Sequence, residues 1–366
     1  MRVVKEYALR RPPARILLIA MRFLGDALLA TPLIRSLKLA FPDAKIDILI
    51  YRNTAGMFEG NPDIEQIITT PNRPKYRDYL ELIPRIFRHY DLALAVQAGD
   101  RPFIYTLLAA PFRVAIVPTV GATGWWKRYF LSGYAEHDNE NTHTVLQNLK
   151  LADVLRIPRS HALIPPHGDS ALPLPLSSKE QAYAVLHPYP QWTYKQWTQE
   201  GWLEIGRYLH RKGIRLVLSG GPAEEEINYL NELQSRLPED TLNLAGRITL
   251  AELTDVIANA KCFIGPDTGI THLAAAAGIP VIALFGPTNP VKWTPWPYGY
   301  RQDQNPFGKV GDQQVHNVHL IQGKGDCVPC DLEGCERHRQ SRSECLDHLP
   351  VQRVIEAIRQ ALQVDR

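Results

Sequence analysis

The feature of this chain that most restricts its fold is the recurrence of short, largely apolar runs, each followed by a stretch with helical spacing. Residues 14–20, apolar except for Arg15, form the first run, and Leu29, Leu33, Ile34 and Leu37 follow at the spacing of one helix face. An apolar run without polar alternation predicts a strand buried on both faces, as in a parallel sheet covered by helices. The repeated alternation therefore predicts an α/β protein with parallel sheets and crossover helices.

The same pattern continues along both halves of the chain. It predicts further strands at residues 45–51, 64–68, 92–97, 114–117, 183–187, 215–219, 262–265 and 281–285. It predicts helices at residues 26–40, 202–211, 223–237, 250–259, 270–277 and 350–363. Pro32 lies inside the first of these helices, where it removes one backbone hydrogen bond and predicts a kink.

A proline-rich stretch, residues 158–181, interrupts the alternation and predicts an inter-domain linker. A chain of 366 residues is too long for one typical core and suits two domains. We therefore predict a Rossmann-like domain at residues 1–170, a second at 171–349, and a C-terminal helix at 350–366. A ligand-binding cleft is expected between the two domains.

The charge of the chain is unevenly divided. Residues 1–170 carry 22 Lys and Arg against 16 Asp and Glu, whereas the remainder carries 19 against 22. A basic first half suits an anionic partner, and the acidic remainder argues against a nucleic-acid-binding protein; chance variation is the alternative. The sequence has neither a secretory signal nor an apolar run that could span a bilayer. We expect a cytoplasmic protein that at most rests on a membrane surface.

The strongest local signal is the turn Asp267-Thr268-Gly269, which follows a predicted strand and opens a predicted helix. Ligands of open α/β sheets bind at the carboxyl ends of strands, and helix N-termini suit phosphate groups. Asp267 and Thr268 therefore either meet a ligand's phosphate and sugar hydroxyls or only cap the helix. His272, one turn later, is either a ligand contact or a packed helix residue.

A second signal is Gly25-Asp26, directly after the first strand. A carboxylate at that place can act as a general base and take a proton from an attacking hydroxyl. The alternative is again a helix cap. The segment has neither the glycine fingerprint of dinucleotide-binding proteins nor a phosphate-binding loop, which disfavours a dehydrogenase.

Two more post-strand loops carry polar residues. Lys195, after the strand at 183–187, can neutralise a diphosphate, and Thr193 can add a hydrogen bond. The alternative is that Lys195 is an ordinary solvated lysine of a loop. The acidic run 224–226 follows the strand at 215–219, where a carboxylate can hold ribose hydroxyls. Three acids at a helix start are equally explained by the helix dipole.

Taken together, these segments resemble the heptosyltransferases, family 9 of the glycosyltransferases. The matching pieces are residues 15–33, residues 41–49, the Lys195-x-Trp197 segment and residues 265–290, in the family's order. The resemblance covers roughly residues 15–360. It implies the GT-B fold, with the acceptor bound by the first Rossmann-like domain and the ADP-sugar by the second.

The resemblance also implies roles for individual residues. Asp26 corresponds to the family's catalytic base and Lys195 to the lysine on the donor diphosphate. The remaining donor contacts that we expect are Thr193, Glu225 (or Glu224 or Glu226) on the ribose, Ile248 against the adenine, Asp267, Thr268, Gly269 and His272. Among the basic residues of the first half, Arg52 and Arg113 are expected to bind the acidic acceptor.

The implied reaction is an inverting, metal-independent transfer of a heptose from ADP-heptose to the inner core of lipopolysaccharide. Residues 45–68 look closest to the branch of the family that adds a side heptose. The alternatives are a related transferase that uses another nucleotide sugar and a non-catalytic nucleotide-binding protein of the same fold. The joint presence of Asp26, Lys195 and Asp267 disfavours the non-catalytic alternative.

Two segments lie outside this scheme. Residues 123–131 mix aromatic and basic side chains, which is typical either of contact with the inner membrane or of packing over the sheet's edge. The second is a set of four cysteines, Cys327, Cys330, Cys335 and Cys345, whose spacing is compatible with a structural zinc ion. No cofactor is expected in catalysis.

Overall fold

The computed structural model describes residues 11–119, 121–168 and 182–363. The chain divides into two compact units. The first runs to Pro166 and includes Arg301–Gln304, and the second runs from His167 to Tyr300 and resumes at Asn305. The boundary predicted between residues 170 and 171 lies outside the described residues, as do residues 169–181 of the predicted linker.

The first unit is built on a sheet of six parallel strands in the order β3-β2-β1-β4-β5-β6. Its strands are β1 Arg15–Ile19, β2 Lys45–Tyr51, β3 Gln66–Thr70, β4 Leu92–Ala95, β5 Phe112–Val117 and β6 Gly133–Glu136. Its helices are α1 Leu24–Leu28, α2 Thr31–Ala40, α3 Tyr76–Ile86, α4 Asp100–Ala109 and α5 Thr144–Leu155. Residues 16–19 of β1 are completely buried, because helices cover both faces of the sheet.

The helix predicted at residues 26–40 is two helices, α1 and α2. Pro32 lies in the first turn of α2 rather than in a helix interior, so the predicted kink is in fact a break. The first turn of a helix contains N–H groups without partners, and a residue that lacks an N–H is well accommodated there. The break leaves α1 as a short helix that follows shortly after the end of β1 in the sequence.

The second unit contains a seven-stranded sheet in the order β12-β13-β11-β10-β7-β8-β9, parallel except for β12. Its strands are β7 Tyr183–Leu186, β8 Arg215–Leu218, β9 Leu242–Asn243, β10 Cys262–Pro266, β11 Val281–Phe285, β12 Gln313–Val315 and β13 Val318–Gln322. Its helices are α6 Gln199–Arg211, α7 Glu224–Ser235, α8 Leu250–Ala258, α9 Gly269–Ala276, α10 Pro290–Trp293, α11 Glu344–Asp347 and α12 Val351–Gln363.

The C-terminal helix α12 is an integral part of the second unit. Val354, Ile358 and Ala361 lie in the same buried cluster as Trp202 of α6. The helix therefore completes the core of this unit. Nowhere in the described ranges does a helix combine the length and the apolar character needed to cross a membrane.

Candidate functional site

The predicted donor residues follow four neighbouring strands of the second unit. In the sheet, β10, β7, β8 and β9 are adjacent and parallel, so their carboxyl ends lie along one edge. The segments after these strands carry, in that order, Asp267, Lys195, Glu225 (in the first turn of α7) and Ile248. In open α/β sheets, ligands bind at this edge. The strand order therefore lines up segments that lie far apart in the sequence.

Lys195 and Asp267 form an ion pair. The Lys195 Nζ lies 2.6 Å from the Asp267 Oδ2, and the two side chains are only 19% and 8% exposed. Lys195 ends a single 3₁₀ turn, Thr193–Lys195, and Asp267 directly follows β10. The pairing holds the lysine at the end of the strand, next to the start of α9.

Of the two candidate caps for α9, Thr268 caps the helix and Asp267 does not. The Thr268 hydroxyl accepts a hydrogen bond from the Thr271 N–H. The carboxylate of Asp267 is directed to Lys195 instead. Because the first N–H groups of a helix lack intrahelical partners and its N-terminus carries partial positive charge, the turn at Gly269 is suited to an anion.

Gly265 allows this turn to form. A Cβ atom at residue 265 would lie 2.7 Å from the Phe263 ring and 2.9 Å from the Thr271 Oγ1. Both distances are too short, so a side chain there would push the first turn of α9 away from β10. The glycine thus permits close approach of helix and strand.

His272 is a buried neighbour of the ion pair. Burial lowers the pKa of its imidazole to about 4, and the charge of Asp267 only partly opposes this shift. The ring is therefore neutral at physiological pH. Its Nδ1 has no hydrogen-bond partner among the described residues, which is unusual for a buried polar atom.

The loops after β8 and β9 are joined to each other. The Gly246 N–H donates to the Gly220 carbonyl at 3.0 Å, which links the loop before Ile248 to the loop before Glu225. Glu225 is exposed, whereas the half-buried Glu226 accepts a hydrogen bond from the Gly221 N–H and its pKa is raised by burial. Glu226, one of the alternatives to Glu225 as the ribose contact, is therefore already hydrogen-bonded to the loop that precedes it.

Tyr189 is a residue of this edge that the sequence analysis missed. It lies in the loop after β7, and its ring centroid is 5.2 Å from that of Tyr229. Burial raises the pKa of its hydroxyl, and the charges of Glu225 and Glu226 add to the shift. Tyr189 thus lies close to both acids. The signal available in the sequence was an aromatic residue within a post-strand loop.

Asp26 lies at the carboxyl edge of the first unit's sheet. It is in the first turn of α1, whose N-cap residue is Phe23 and not Asp26. Its Oδ1 is 3.3 Å from the Arg22 Nη1, and its side chain is 10% exposed. The Met21 N–H donates to the Gln97 Oε1 at 2.9 Å, which ties the end of β1 to the end of β4.

The two predicted acceptor-binding arginines lie at opposite edges of this sheet. Arg52 directly follows β2 and is exposed at the same edge as Asp26. Arg113 lies near the amino end of β5, and its Nε donates to the Ala110 carbonyl at 2.8 Å. The structure therefore does not bring Arg113 to Asp26. Arg113 lies at the other edge of the sheet because it is near the start of its strand. A local sequence pattern does not reveal at which edge a single residue lies.

The first unit also contains a cavity of about 840 Å³ at the carboxyl ends of β5 and β6. Its lining includes Glu136, Asp138, Lys150 and Arg159. Burial lowers the pKa of the Lys150 ammonium group. The cavity lies on the same edge of the sheet as Asp26. The sequence analysis missed it, although the polar run 136–141 after β6 was a visible signal.

The cysteine-bearing segment 327–345 supports the loop that carries Lys195. The Thr193 N–H donates to the Arg339 carbonyl at 3.0 Å, and the Ser343 hydroxyl donates to the Tyr194 carbonyl at 2.7 Å. Across residues 11–119, 121–168 and 182–363, no three His, Cys, Asp or Glu side chains are grouped closely enough to hold a metal ion. The four cysteines are thus not assembled into a metal site in this structure.

Comparison with known proteins identifies the family. A family model described as glycosyltransferase family 9 (heptosyltransferase) matches residues 122–316. Lipopolysaccharide heptosyltransferase 3 of Escherichia coli is 30% identical over 290 residues, which cover 75% of this chain and 84% of that protein. The chain belongs to glycosyltransferase family 9. The predicted family and enzyme class are confirmed.

Solved structures confirm the fold of this family 9 glycosyltransferase. E. coli ADP-heptose lipopolysaccharide heptosyltransferase II superimposes with a TM-score of 0.72 at 20% identity, covering 96% of this chain and 99% of that chain. E. coli heptosyltransferase WaaC with ADP gives a TM-score of 0.69 at 20% identity, covering 95% and 99%. The predicted GT-B class, with two Rossmann-like domains, is confirmed.

Proposed function

We propose that this protein transfers a heptose from ADP-heptose to the inner core of lipopolysaccharide, with inversion at the anomeric carbon. The observation that carries the proposal is the row of donor-binding loops along four adjacent strand ends of the second unit. The similarity to a lipopolysaccharide heptosyltransferase 3 and the resemblance of residues 45–68 support addition of a side heptose.

The donor lies along this row of loops. Lys195 and the N-terminus of α9, at Thr268 and Gly269, receive the diphosphate. The His272 Nδ1, which finds no hydrogen-bond partner in the part of the chain that the structure describes, lies near Lys195 and Asp267. Thr193 adds a contact from the same turn as Lys195. Asp267 holds the lysine in place.

The nucleoside lies toward β8 and β9. Glu225 takes the ribose hydroxyls, since Glu226 is already engaged by Gly221. The backbone at Ile248 lies against the adenine. Tyr189 is close to both acids and supplies an aromatic surface at this end of the site.

In the proposed reaction, Asp26 takes the proton of an acceptor hydroxyl. The hydroxyl oxygen forms a bond to the anomeric carbon as the bond from that carbon to the ADP oxygen breaks. Negative charge develops on the departing diphosphate, where Lys195 and the positive end of α9 stabilise it. No metal or covalent intermediate takes part.

The acceptor binds to the first unit. The 840 Å³ cavity beside β5 and β6 is large enough for sugar residues and offers carboxylates and amides for their hydroxyls. Lys150 and the exposed Arg52 supply positive charge for the phosphates and acidic sugars of an inner core. Arg113, at the other edge of the sheet, has no part in this site.

We also propose that Cys327, Cys330, Cys335 and Cys345 bind a structural zinc ion. Burial raises the pKa of the Cys345 thiol to about 12, and the three other cysteines contribute to the shift. The Glu344 N–H donates to the Cys335 Sγ, which draws the third cysteine toward the fourth. Four thiolates are a common zinc-ligand set.

The protein acts in the cytoplasm, where ADP-sugars are available, and meets its lipid-linked acceptor at the inner membrane. The test of the donor assignment is thermal stabilisation of the purified protein by ADP, UDP, GDP and NAD at equal concentrations. ADP is expected to raise the melting temperature most. A clear preference for UDP would replace the proposal by a transferase that uses another nucleotide sugar.

A further inference from the structure

Helix α3 of the first unit exposes apolar side chains on the side away from its core. Leu82 and Ile86 point inward and belong to the buried cluster of this unit. Tyr76, Leu80 and Phe87 lie on another side of the helix and are exposed. Their spacing of four and seven residues places them in one stripe along the helix surface.

The 3₁₀ segment Trp125–Phe130 extends this apolar surface. Trp125, Trp126, Tyr129 and Phe130 are all exposed. Between them Lys127 is buried, with its Nζ 2.6 Å from the Asp100 Oδ1 and 3.0 Å from the Ala98 carbonyl. The buried lysine fixes the segment to the start of α4, which leaves the aromatic rings on the outside.

The two apolar surfaces belong to one side of the sheet. Helix α4 contacts α3, and its Phe103 ring meets the Trp126 ring edge to face at a centroid distance of 5.8 Å. Phe103 and Leu131, which follows the 3₁₀ segment, lie in the same buried cluster as Leu82 of α3. With the exposed Ile104 of α4, this side of the unit has eight large apolar side chains that are between 43% and 76% exposed. We call this set the apolar patch: Tyr76, Leu80, Phe87, Ile104, Trp125, Trp126, Tyr129 and Phe130.

Basic residues flank the apolar patch. Residues 71–89 contain five basic and only two acidic residues. The bases are Arg73, Lys75, Arg77, Arg85 and Arg88, and all five are exposed. One of the two acids, Asp78, accepts a hydrogen bond from the Lys75 N–H at 2.6 Å as part of the helix cap. The surface is therefore apolar and positively charged.

We propose that the apolar patch and its flanking bases dock the first unit onto an anionic lipid bilayer. Aromatic side chains favour the headgroup region of a membrane, and bases beside them attract anionic lipids. A protein partner would need a complementary acidic and apolar face, whereas an anionic membrane supplies both properties at once. The inference rests on the proposed function only in that the acceptor is a lipid.

The test is co-sedimentation of the full-length protein with vesicles. Binding is expected to vesicles of equal parts phosphatidylglycerol and phosphatidylcholine, weakly to phosphatidylcholine alone, and to fall at high salt. The variants Leu80→Ser/Phe87→Ser and Tyr129→Ser/Phe130→Ser are each expected to lower binding about tenfold. Arg77→Gln/Arg88→Gln should lower binding to the anionic vesicles only.

The matched control is Leu39→Ser. Leu39 is also an exposed apolar helix residue, but it lies on α2, which contacts α5 and contributes no described residue to the cluster under α3 and α4. The Leu39→Ser variant should bind vesicles as strongly as the wild type does. Equal binding by the wild type and both apolar-patch variants would overturn the proposal. So would a concentration-dependent dimer that the patch variants abolish, because the patch would then join two copies of the chain.

Transfer assays separate this inference from the proposed function. The patch variants should retain transfer to a water-soluble, deacylated acceptor and lose it on acceptor embedded in anionic vesicles. Asp26→Asn should bind vesicles normally and transfer to neither acceptor. Loss of transfer to the soluble acceptor by the patch variants, with normal melting temperatures, would contradict the docking role.

Discussion

At the scale of single residues, the donor edge of the second unit combines one ion pair with one neutral, buried histidine. Asp267 holds the ammonium group of Lys195, which has three N–H donors, at the carboxyl end of β10. His272 stays uncharged beside this pair because burial penalises its protonated form.

Replacing Lys195 by Met should lower ADP affinity about tenfold to hundredfold, measured by isothermal titration calorimetry. A hydrogen bond to a charged group contributes about 1.5–3 kcal/mol, and about 1.4 kcal/mol corresponds to tenfold in affinity. Lys212→Met, at an exposed position, is the control and should not change affinity. The double variant Lys195→Met/Asp267→Asn also removes the carboxylate charge of Asp267, which Lys195→Met alone leaves buried and unpaired. Wild-type affinity in both Lys195 variants would contradict the assignment.

The buried histidines predict a loss of stability in acid. His187 and His272 both have a pKa lowered by burial to about 4, against 6.5 for an ordinary histidine. Between these values the unfolded chain binds more protons than the folded one, so stability falls as pH is lowered from about 6.5 to about 4. Each histidine contributes at most about 1.4 kcal/mol per pH unit.

The measurement is the free energy of unfolding in urea at several pH values. His187→Gln and His272→Gln should each flatten the decline between pH 6.5 and 4, with their effects adding. His89→Gln, at an exposed position, should leave the wild-type slope. An unchanged slope in both buried-site variants would show that other groups cause the acid sensitivity.

At the scale of elements, the segment 327–345 acts as a support for a turn more than a hundred residues earlier in the sequence. Its Arg339 carbonyl and Ser343 hydroxyl bond the backbone of the turn Thr193–Lys195. Its cation Arg339 also lies over the Trp192 ring, 4.4 Å from the centroid. The conformation of the cysteine-bearing segment and the position of Lys195 are therefore coupled.

Removing the proposed zinc ion should weaken ADP binding. Treatment with a chelator, or the variant Cys335→Ser/Cys345→Ser, is expected to lower both the melting temperature and the stabilisation by ADP. Elemental analysis before and after treatment measures the metal. Cys262→Ala is the control, because Cys262 lies in β10, outside the segment, and should retain the metal. Absence of any bound metal from the purified wild type would contradict the zinc proposal.

At the scale of the whole molecule, each unit has its own sheet and its own set of proposed functional residues. Asp26 lies at the carboxyl edge of one sheet, and the segments proposed to bind the donor lie at the carboxyl edge of the other. This division of the fold predicts that donor binding and proton abstraction can be lost separately.

Asp26→Asn should bind ADP like the wild type and lose transfer by a factor of about 10²–10⁴, the usual contribution of a general base. Calorimetry gives the affinity, and a transfer assay at saturating donor gives the rate. Asp43→Asn, an exposed carboxylate in the turn before β2, should affect neither. If Asp26→Asn lost ADP binding as well, Asp26 would be a structural residue.

The sequence alone determined much of the fold, because local patterns record local physics. Largely apolar runs identified β1, β2, β10 and β11, since strands covered on both faces favour them. The pattern did not reveal β6, β9, β12 or β13: of these, β9 has only two residues, β12 is partly exposed, and β13 carries buried polar side chains, His319 and Gln322. It also could not choose between capping and binding for Asp26, Asp267 and Thr268, because both need the same residue types at a helix start.

Only the tertiary structure decided which loops lie side by side. The order β10-β7-β8-β9 brings Asp267 next to Lys195, although 72 positions separate them in the numbering of the chain. It also placed Arg113 at the far edge and formed the cavity beside β6. Strand order depends on packing between distant segments, and a short stretch of sequence carries no record of its spatial neighbours.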